Sequence, residues 1–294
     1  MQPEQRDGPV NTFVVATVLC LLCSFLVSAA AVGLKGIQDR NVVLDRKSNL
    51  LQVVGFKADE IAEKGGIEEL FEERFETKII DLATGADAID EVKVALEEAG
   101  KKLGDTPDEV CSKYDQVWAS KSKKTPVSDQ ITERDITGIK YREKFSHVYV
   151  MKDEDGKKVS KYVFPVRGKG LWSMMKGYLA VEPDFQTIAG LTFYEQGETP
   201  GLGGEVMNPA WKAKWAGKKI YNDDAVCIRV VKGAGSNDYE VDGLSGATIT
   251  SNGVSNMLIY WLGEEGFGPF IQKEKTKNSS TQSSIKPEKG GSNG

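Results

Sequence analysis

The hydrophobic residues near the start of the chain form one uninterrupted run. Residues 12–34 are 23 residues without a charged side chain. As a helix with a rise of about 1.5 Å per residue, the run would reach roughly 34 Å and could cross a hydrocarbon core of about 30 Å once. A cleaved signal peptide is the alternative, because residues 28–31 are small residues of the kind found before a cleavage site. The apolar run continues past them, which favours a permanent transmembrane helix.

Beyond this run, apolar positions recur every three or four residues, which is the period of an amphipathic helix. Residues 35–56 follow this period and predict a stalk helix. Two further stripes predict two helices, and they consist of Ile67, Leu70, Phe71 and Phe75, and of Ile89, Val92, Leu96 and Ala99. Residues 59–109 hold 17 acidic and 6 basic residues, a net charge of −11. We interpret this layer as a solvated surface, with cation gathering at a membrane mouth as the functional alternative.

From residue 145 the apolar period changes to two, which is typical of strands. Val148 and Val150 precede residues 153–156, which have the composition of a turn, and a second alternating run follows, so the segment predicts a β-hairpin. Two more strands are predicted at residues 178–181 and 188–194. A later stripe with helical spacing predicts a helix that Ser251 or Asn252 could cap; its apolar members are Val254, Met257, Leu258 and Trp261.

These elements predict an α+β fold, in which a mixed sheet packs against helices behind a single N-terminal transmembrane helix. The predicted segments are an N-terminal segment 1–11, the membrane helix 12–34, a stalk and acidic helix-rich region 35–129, a globular domain 130–272 and a disordered tail 273–294. The tail is assigned because residues 273–294 have hardly an apolar side chain and cannot bury enough surface to fold.

The composition excludes several classes of function. A net charge of −5 over 294 residues, with no basic stripe, argues against a nucleic-acid partner. Cys20 and Cys23 lie inside the apolar run, Cys111 and Cys227 lie in unrelated segments, and His147 is the one histidine, in a strand-like run where a packed or surface role is expected. A disulfide framework and a protein-held zinc or iron–sulfur site are therefore not expected. Any redox chemistry must come from an organic cofactor.

Two glycine-rich segments carry the candidate chemistry. The string D-G-L-S-G-A-T at residues 242–248 ends on Thr248, just before the predicted helix. Free N–H groups and the positive dipole end of that helix suit a phosphate, which then needs no lysine. The second segment is E-T-P-G-L-G-G at residues 198–204, where glycines could let the backbone approach a flat ligand. A helix cap after a glycine turn, and glycines serving only turn geometry, are the structural alternatives.

These strings resemble the C subunits of the sodium-translocating NADH:quinone reductases, a family with an FMN-binding domain. The resemblance is carried by G-L-W-S-M-M at residues 170–175, Y-E-Q-G-E-T-P-G-L-G-G-E at 194–205, N-P-A-W at 208–211, and W-L-G to G-P-F at 261–270. The electron-transport complex of the Rnf type shares E-T-P-G-L-G and the flavinylation string. The longer forms of the strings in this chain resemble the quinone reductase.

The resemblance implies an FMN attached covalently to Thr248 through a phosphoester bond, ahead of the rival hydroxyls of Thr250 and Ser251. It implies that further residues surround the flavin, namely Ser245, Gly246, Ala247, Thr199, Gly201, Leu202, Gly203 and Trp172. Asp242 and Gly243 would be recognised by the flavin transferase that attaches FMN. Trp172 and its neighbour Met174 are candidates for ring contacts, with ordinary core packing as the alternative.

The implied role is electron carriage within a membrane complex that oxidises NADH, reduces quinone and exports sodium. The expected partners are the other membrane subunits, the flavin transferase and the bilayer itself. The alternatives are the equivalent Rnf protein, a membrane-tethered reductase that acts alone, and a structural protein with an empty site. The resemblance implies that the domain lies on the periplasmic side of the bacterial inner membrane, and this is the orientation we expect. The basic residues after the span, Lys35, Arg40, Arg46 and Lys47, argue for the cytoplasmic side.

Overall fold

The computed structural model describes residues 8–101, 104, 106–122, 126–131 and 135–283. The predicted segment 1–11 and the predicted tail therefore lie partly outside the described residues. The chain divides into two compact units, residues 1–47 and residues 48–294. The first unit consists of most of helix α1 (Pro9–Val53). Its apolar window has a mean hydropathy of 2.5 and buries none of its side chains, as a single membrane-crossing helix requires. Cys20 and Cys23 are exposed on it.

The second unit contains the remaining elements. Its helices are α2 (Ala58–Glu63), α3 (Ile67–Arg74), α4 (Ile89–Glu98), α5 (Pro107–Lys113), α6 (Gln116–Lys121), α7 (Pro209–Lys212), α8 (Thr248–Leu262) and α9 (Gly268–Ser283). Its strands are β1 (Phe75–Asp81), β2 (Ser128–Gln130), β3 (Tyr141–Glu143), β4 (Phe145–Lys152), β5 (Val159–Lys169), β6 (Met174–Val181), β7 (Ile188–Glu195), β8 (Tyr221–Asn222), β9 (Ala225–Val226), β10 (Arg229–Val231) and β11 (Glu240–Asp242). Two short 3₁₀ segments, Gly203–Met207 and Ala213–Trp215, flank α7.

The main sheet is antiparallel and has the order β1-β4-β5-β6-β7. The predicted hairpin is confirmed, with Tyr149 opposite Val163 and Val150 opposite Tyr162. Alternate side chains of each strand point to opposite faces, so both faces are covered. One face carries Phe164, Leu179 and Phe193 and packs in the same core cluster as residues of α8 and α9. The other carries Val163 and Ala180 and packs against the end of α1 and against α3. Burying each large apolar side chain contributes about 1.5–3 kcal/mol.

Strand β1 corrects the prediction that residues 59–109 are helical. Helix α3 ends at Arg74, and Phe75 is already extended, with φ −115° and ψ 133°. Phe75 pairs with Met151, so β1 becomes the edge strand of the main sheet. The buried guanidinium of Arg74 donates two hydrogen bonds to the carbonyl of Lys152, which ties the turn between α3 and β1 to the end of β4. The sheet thus extends across the predicted domain boundary at residue 130.

Helix α8 also begins earlier than predicted. Its first residue is Thr248, and its N-cap is Ala247, which makes no side-chain capping bond. The prediction that Ser251 or Asn252 caps the helix is therefore wrong, because both lie inside its first turns. Helix α8 packs closely on β5: a Cβ on Gly253 would lie 2.4 Å from the carbonyl oxygen of Lys169. Helix α9 continues to Ser283, past residue 273, where the disordered tail was predicted to begin.

Candidate functional site

The glycine turn before α8 joins strand β11 to the first turn of the helix. We call residues 242–248 the acceptor turn. Strand β11 pairs in parallel with β10, and Gly243 passes so close to β10 that a Cβ there would lie 2.3 Å from the carbonyl oxygen of Val231. Gly246 has φ +71°, a left-handed conformation that favours glycine. Ser245, Gly246 and Thr248 are exposed, while Ala247 is buried beneath them.

Three hydroxyls near the start of α8 have different surroundings. Thr248 is exposed. Thr250 is 1% exposed, and its Oγ1 donates a 2.6 Å hydrogen bond to the Glu198 carboxylate. Ser251 is 5% exposed, and its Oγ accepts a hydrogen bond from the backbone N–H of Leu244. Of these three, Thr248 is the hydroxyl at the surface.

An open cavity of about 670 Å³ lies beside the acceptor turn. Its lining includes Thr248 together with Asp242, Gly243, Ser245 and Gly246, and also Lys214 and Lys232. These two lysines were not among the predicted site residues, because they lie outside the D-G-L-S-G-A-T string and are brought to the cavity by the fold. The first N–H groups of α8 have no partners within the helix. Lysine ammonium groups and free N–H groups are a donor set that suits an anion.

Asp242 is held within the domain by three hydrogen bonds, two to its side chain and one to its backbone carbonyl. Lys214 donates to its Oδ2, and the backbone N–H of Gly235 donates to its Oδ1 at 2.9 Å. The bond from Lys214, and then that from Gly235, lower the pKa of Asp242 below its usual value. Its backbone carbonyl accepts a 2.8 Å hydrogen bond from the indole of Trp211. The first residue of the acceptor turn is therefore a fixed point of the fold.

The second glycine segment forms a tight turn that we call the glycine loop, residues 199–204. The carbonyl of Thr199 accepts hydrogen bonds from the N–H groups of Leu202 and Gly204. Gly201 has φ +75° and open space around it. The Leu202 side chain reaches the acceptor turn, because a Cβ on Gly246 would lie 2.9 Å from Leu202 Cδ2. The two glycine segments that were predicted to form one site are thus in contact.

A buried carboxylate, absent from the sequence-based set of site residues, connects the glycine loop to its surroundings. Glu198 is 5% exposed and accepts five hydrogen bonds, from the N–H groups of Leu171, Trp172 and Ser173 and from the hydroxyls of Ser173 and Thr250. Burial acts to raise the pKa of Glu198, but the hydrogen bonds from Thr250 and the backbone outweigh it, so the pKa is lowered. Nothing in the local sequence distinguishes this acid from a solvated one.

Large apolar side chains are exposed at the start of α8, on the glycine loop and at residues 171–172. Trp172 is 71% exposed and Ile249 is 57% exposed. Leu171 and Leu202 are also exposed. By contrast, Met174 is half-buried, and its neighbour Met175 is fully buried. None of the four exposed side chains lines the cavity, but Ile249 directly follows Thr248 and Leu202 lies against Gly246, and both Thr248 and Gly246 do line it. Exposed apolar side chains beside such residues, together with the cationic lining, suit a ligand that has both a flat apolar part and an anionic part.

Some of the predicted site residues do not line the cavity in the described part of the chain. They are Thr199, Gly201, Leu202, Gly203, Trp172 and Ala247. Thr199 and Gly201 form the turn of the glycine loop, and Gly203 is buried against Glu198 and Thr250. His147 is packed: its ring nitrogens lie 3.0 Å from Gln116 Oε1 and 2.9 Å from the carbonyl oxygen of Cys111. The described residues contain no group of three His, Cys, Asp or Glu side chains placed to hold a metal ion.

Comparison with known proteins gives consistent matches. The FMN-binding domain family matches residues 170–263. The C subunit of the Na(+)-translocating NADH-quinone reductase from Vibrio alginolyticus is 43% identical over 273 residues, covering 92% of this chain and 96% of the relative. The protein of the same name from Vibrio parahaemolyticus is 44% identical, covering 92% and 97%. The crystal structure of Shewanella oneidensis NqrC matches with a TM-score of 0.64 and 32% identity, covering 78% of this chain and 96% of that chain.

Proposed function

This chain belongs to the family of C subunits of the Na(+)-translocating NADH-quinone reductases, and we propose that it carries FMN on Thr248 through a phosphoester bond and relays electrons within such a complex. One observation carries the proposal. Thr248 is exposed and lines the cavity together with Lys214 and Lys232. Ser251 also contributes to the lining, but it and Thr250 are buried and hydrogen-bonded.

The chain's own groups fit a phosphate at Thr248. The N–H groups at the start of α8 and its dipole favour an anion. Lys214 and Lys232 line the same cavity and add positive charge. Lys214 forms an ion pair with Asp242, and this pair keeps its ammonium group near the acceptor turn when no ligand is bound. FMN bound here would supply reversible electron transfer. Residues of the chain would hold its phosphate and shield its ring from water.

Exposed apolar side chains are suited to that shielding. Leu202 touches the acceptor turn, and Ile249 follows Thr248 directly. Trp172 belongs to a segment whose backbone is tied to α8 through Glu198 and Thr250. These three side chains cost solvation free energy when exposed to water, and a bound isoalloxazine ring would cover apolar area beside them.

Maturation requires a second protein. Attachment of FMN to a threonine hydroxyl by a flavin transferase needs access to that hydroxyl, and Thr248 is accessible in the folded domain. Asp242 and Gly243 begin the acceptor turn. Because Asp242 is anchored by Lys214 and Gly235, it holds the turn in one conformation that a transferase can recognise.

We place the domain on the periplasmic side of the bacterial inner membrane, with the other membrane subunits of the complex as partners. One apolar helix cannot itself form an ion path, because a charged route through lipid needs surrounding protein. A protease added to intact spheroplasts should remove the domain from the membrane helix. Full protection of the domain would reverse this orientation.

Peptide mass spectrometry on the chain purified from its native membranes tests the attachment site. We expect the FMN mass on the peptide that contains Thr248, its complete loss in Thr248→Ala and its retention in Thr248→Ser, since only the hydroxyl is needed. Thr276→Ala is the matched control, because it removes an exposed threonine hydroxyl from α9, outside the predicted site, and should keep the flavin. The FMN mass on Thr250, or on no residue of the native chain, would reject the proposal.

A further inference from the structure

We propose that Glu198 is a positioning residue for the flavin site: its buried carboxylate fixes residues 171–173 against the first turn of α8 and so sets the surroundings of a flavin on Thr248. This inference rests on the proposed function. Glu198 does not line the cavity beside the acceptor turn. We call Glu198, Thr250 and residues 171–173 the carboxylate clamp.

The clamp joins three segments that are distant along the chain. Glu198 Oε2 accepts from Thr250 Oγ1 at 2.6 Å and from the N–H of Leu171 at 3.1 Å. Its Oε1 accepts from the N–H groups of Trp172 and Ser173, both at 3.0 Å, and from Ser173 Oγ at 3.1 Å. Ser173 Oγ in turn accepts from the N–H of Gly197 at 2.7 Å. The carboxylate therefore gives three consecutive backbone N–H groups their hydrogen-bond partner.

Two glycines make room for the clamp. A Cβ on Gly170 would lie 2.6 Å from Glu198 Oε1. A Cβ on Gly203 would lie 2.6 Å from Thr250 Oγ1 and 2.9 Å from Glu198 Oε2. Real Cβ atoms do not approach so closely, so both positions require glycine while the clamp is formed. This gives Gly203 a role in enclosing the carboxylate, in addition to any approach to the flavin ring.

The donor set requires a carboxylate. All five partners donate, and an ionised carboxylate offers only acceptor sites. Glutamine could keep its oxygen toward Trp172 and Ser173 and turn its amide toward Thr250, whose hydroxyl could then accept. The N–H of Leu171 would face that amide and lose its partner. The Glu198→Gln variant should therefore weaken the clamp at Leu171 first.

The carboxylate clamp matters for the flavin because of the two segments that it joins. Thr250 lies two residues beyond Thr248, in the same first turn of α8. At the other end, the clamp holds the N–H of Trp172, whose side chain is 71% exposed. The carboxylate thus fixes the backbone of an exposed indole relative to the flavin-bearing turn. Loosening it should change the polarity around the flavin while leaving the attachment chemistry intact.

The first test needs no flavin. Amide hydrogen exchange in the full-length Thr248→Ala chain should become at least tenfold faster at Leu171 when Glu198→Gln is added, a factor that corresponds to about 1.4 kcal/mol. Exchange at Trp172 and Ser173 should accelerate less. Adding Glu198→Ala instead should accelerate all three. Unchanged exchange at Leu171–Ser173 in both variants would overturn the clamp.

The second test uses the complex purified from membranes, with Thr250→Val, Thr250→Ser and Ser255→Ala. Ser255 is the matched control, because it is a buried hydroxyl of α8 that bonds the N–H of Val230 and not Glu198. We expect Thr250→Val to keep the FMN mass on Thr248 but to shift the flavin's midpoint potential beyond the spread among wild-type preparations. Thr250→Ser should restore the wild-type potential, and Ser255→Ala should not change it.

The outcomes separate the two proposals. If the wild-type chain carries FMN on Thr248 and Thr250→Val leaves the potential unchanged, the positioning role is wrong and the attachment site stands. If the wild-type chain carries no FMN on Thr248, the proposed function fails and the flavin half of this inference fails with it. The amide hydrogen-exchange result tests whether the carboxylate clamp exists, whichever of these outcomes is found.

Discussion

The glycine loop and the acceptor turn meet beside helix α8 and have similar compositions, yet they differ in what they bury. The glycine loop follows a buried carboxylate that accepts five hydrogen bonds. The acceptor turn presents the Thr248 hydroxyl and two exposed residues before it to a cavity. Small residues therefore have two different surroundings here: in the glycine loop they enclose a polar cluster, and in the acceptor turn they lie at the surface beside an exposed threonine. We expect mutations in the glycine loop to lower the stability of the domain and mutations in the acceptor turn to reduce flavin attachment.

The largest effect on stability is expected from Gly203→Val. The new side chain would overlap Thr250 and the Glu198 carboxylate, and such overpacking in a buried site costs about 1–3 kcal/mol or more. Gly201→Ala is the control in the same loop. It has open space but φ +75°, so a cost of about 1–2 kcal/mol is expected. Urea unfolding of the purified full chain measures both. A smaller cost at Gly203 than at Gly201 would contradict the view that this loop is shaped by packing.

Glu198→Gln should have the next largest effect and should depend on pH. Losing the partly buried hydrogen bond from the N–H of Leu171 to the charged carboxylate costs about 1.5–3 kcal/mol at neutral pH. Because the pKa of Glu198 is lowered in the fold, its contribution to stability is present above the unfolded-state pKa and is lost as pH falls through the folded-state pKa.

Unfolding measurements from about pH 7 down to about pH 3 check the sign of this effect. The difference in stability between wild type and Glu198→Gln should shrink as the pH falls. Other carboxyls with lowered pKa values, such as Asp184 and Asp242, are present in both proteins and cancel in the difference. A difference that stays constant over this range would mean that the glutamate is not stabilised as an anion.

Lys214→Ala should cost less, because the pair that Lys214 forms with Asp242 is partly exposed, with side chains 45% and 35% accessible. Exposed pairs contribute about 0.2–1 kcal/mol. Its effect on flavin attachment should be larger than its effect on stability, since it removes a cation from the cavity and releases Asp242. The yield of covalent FMN per chain is the measurement. Lys218→Ala, which removes a nearby lysine outside the cavity lining, is the control. Equal yields of covalent FMN in the two variants would show that Lys214 is not part of the flavin site.

The elements that could be predicted from the sequence are those specified by local pattern. The hairpin of β4 and β5 follows from alternation around a turn, and the membrane helix follows from an uncharged run. Strand β1 was missed because Phe75 continues the helical stripe of α3 by spacing. Its extended conformation comes from pairing with Met151, 76 residues later. Such pairing is a tertiary effect that outweighs a local period.

The candidate site also has one part that could be predicted from the sequence and one part that could not. The string ending at Thr248 is contiguous, so it could be recognised, and its contact with Leu202 agrees with the pairing of two glycine segments. The partners of Glu198 are brought in by packing from residues 25 to 52 positions away, and Lys214 reaches Asp242 across 28 positions. An acid beside glycines is usually solvated. Only the fold shows that this one is buried and that its negative charge is used.

The smallest effect on stability and the most complete effect on function should coincide at Thr248→Ala. Thr248 is exposed, and the N-cap of the helix is Ala247, which makes no side-chain capping bond. Removing the Thr248 hydroxyl therefore takes no hydrogen bond from the cap. A surface substitution of this kind changes the free energy of unfolding by about 0.5 kcal/mol or less. Covalent flavin should nevertheless disappear. Thr250→Ala, two residues away, should reverse this pattern, because it removes one of the five hydrogen bonds to the buried Glu198 carboxylate and destabilises the domain while leaving the acceptor hydroxyl in place. Unfolding midpoints measured beside acid-stable flavin absorbance test both variants. If Thr248→Ala unfolds the domain, or Thr250→Ala leaves stability unchanged, the division between a loop that holds the fold and a turn that holds the cofactor is wrong.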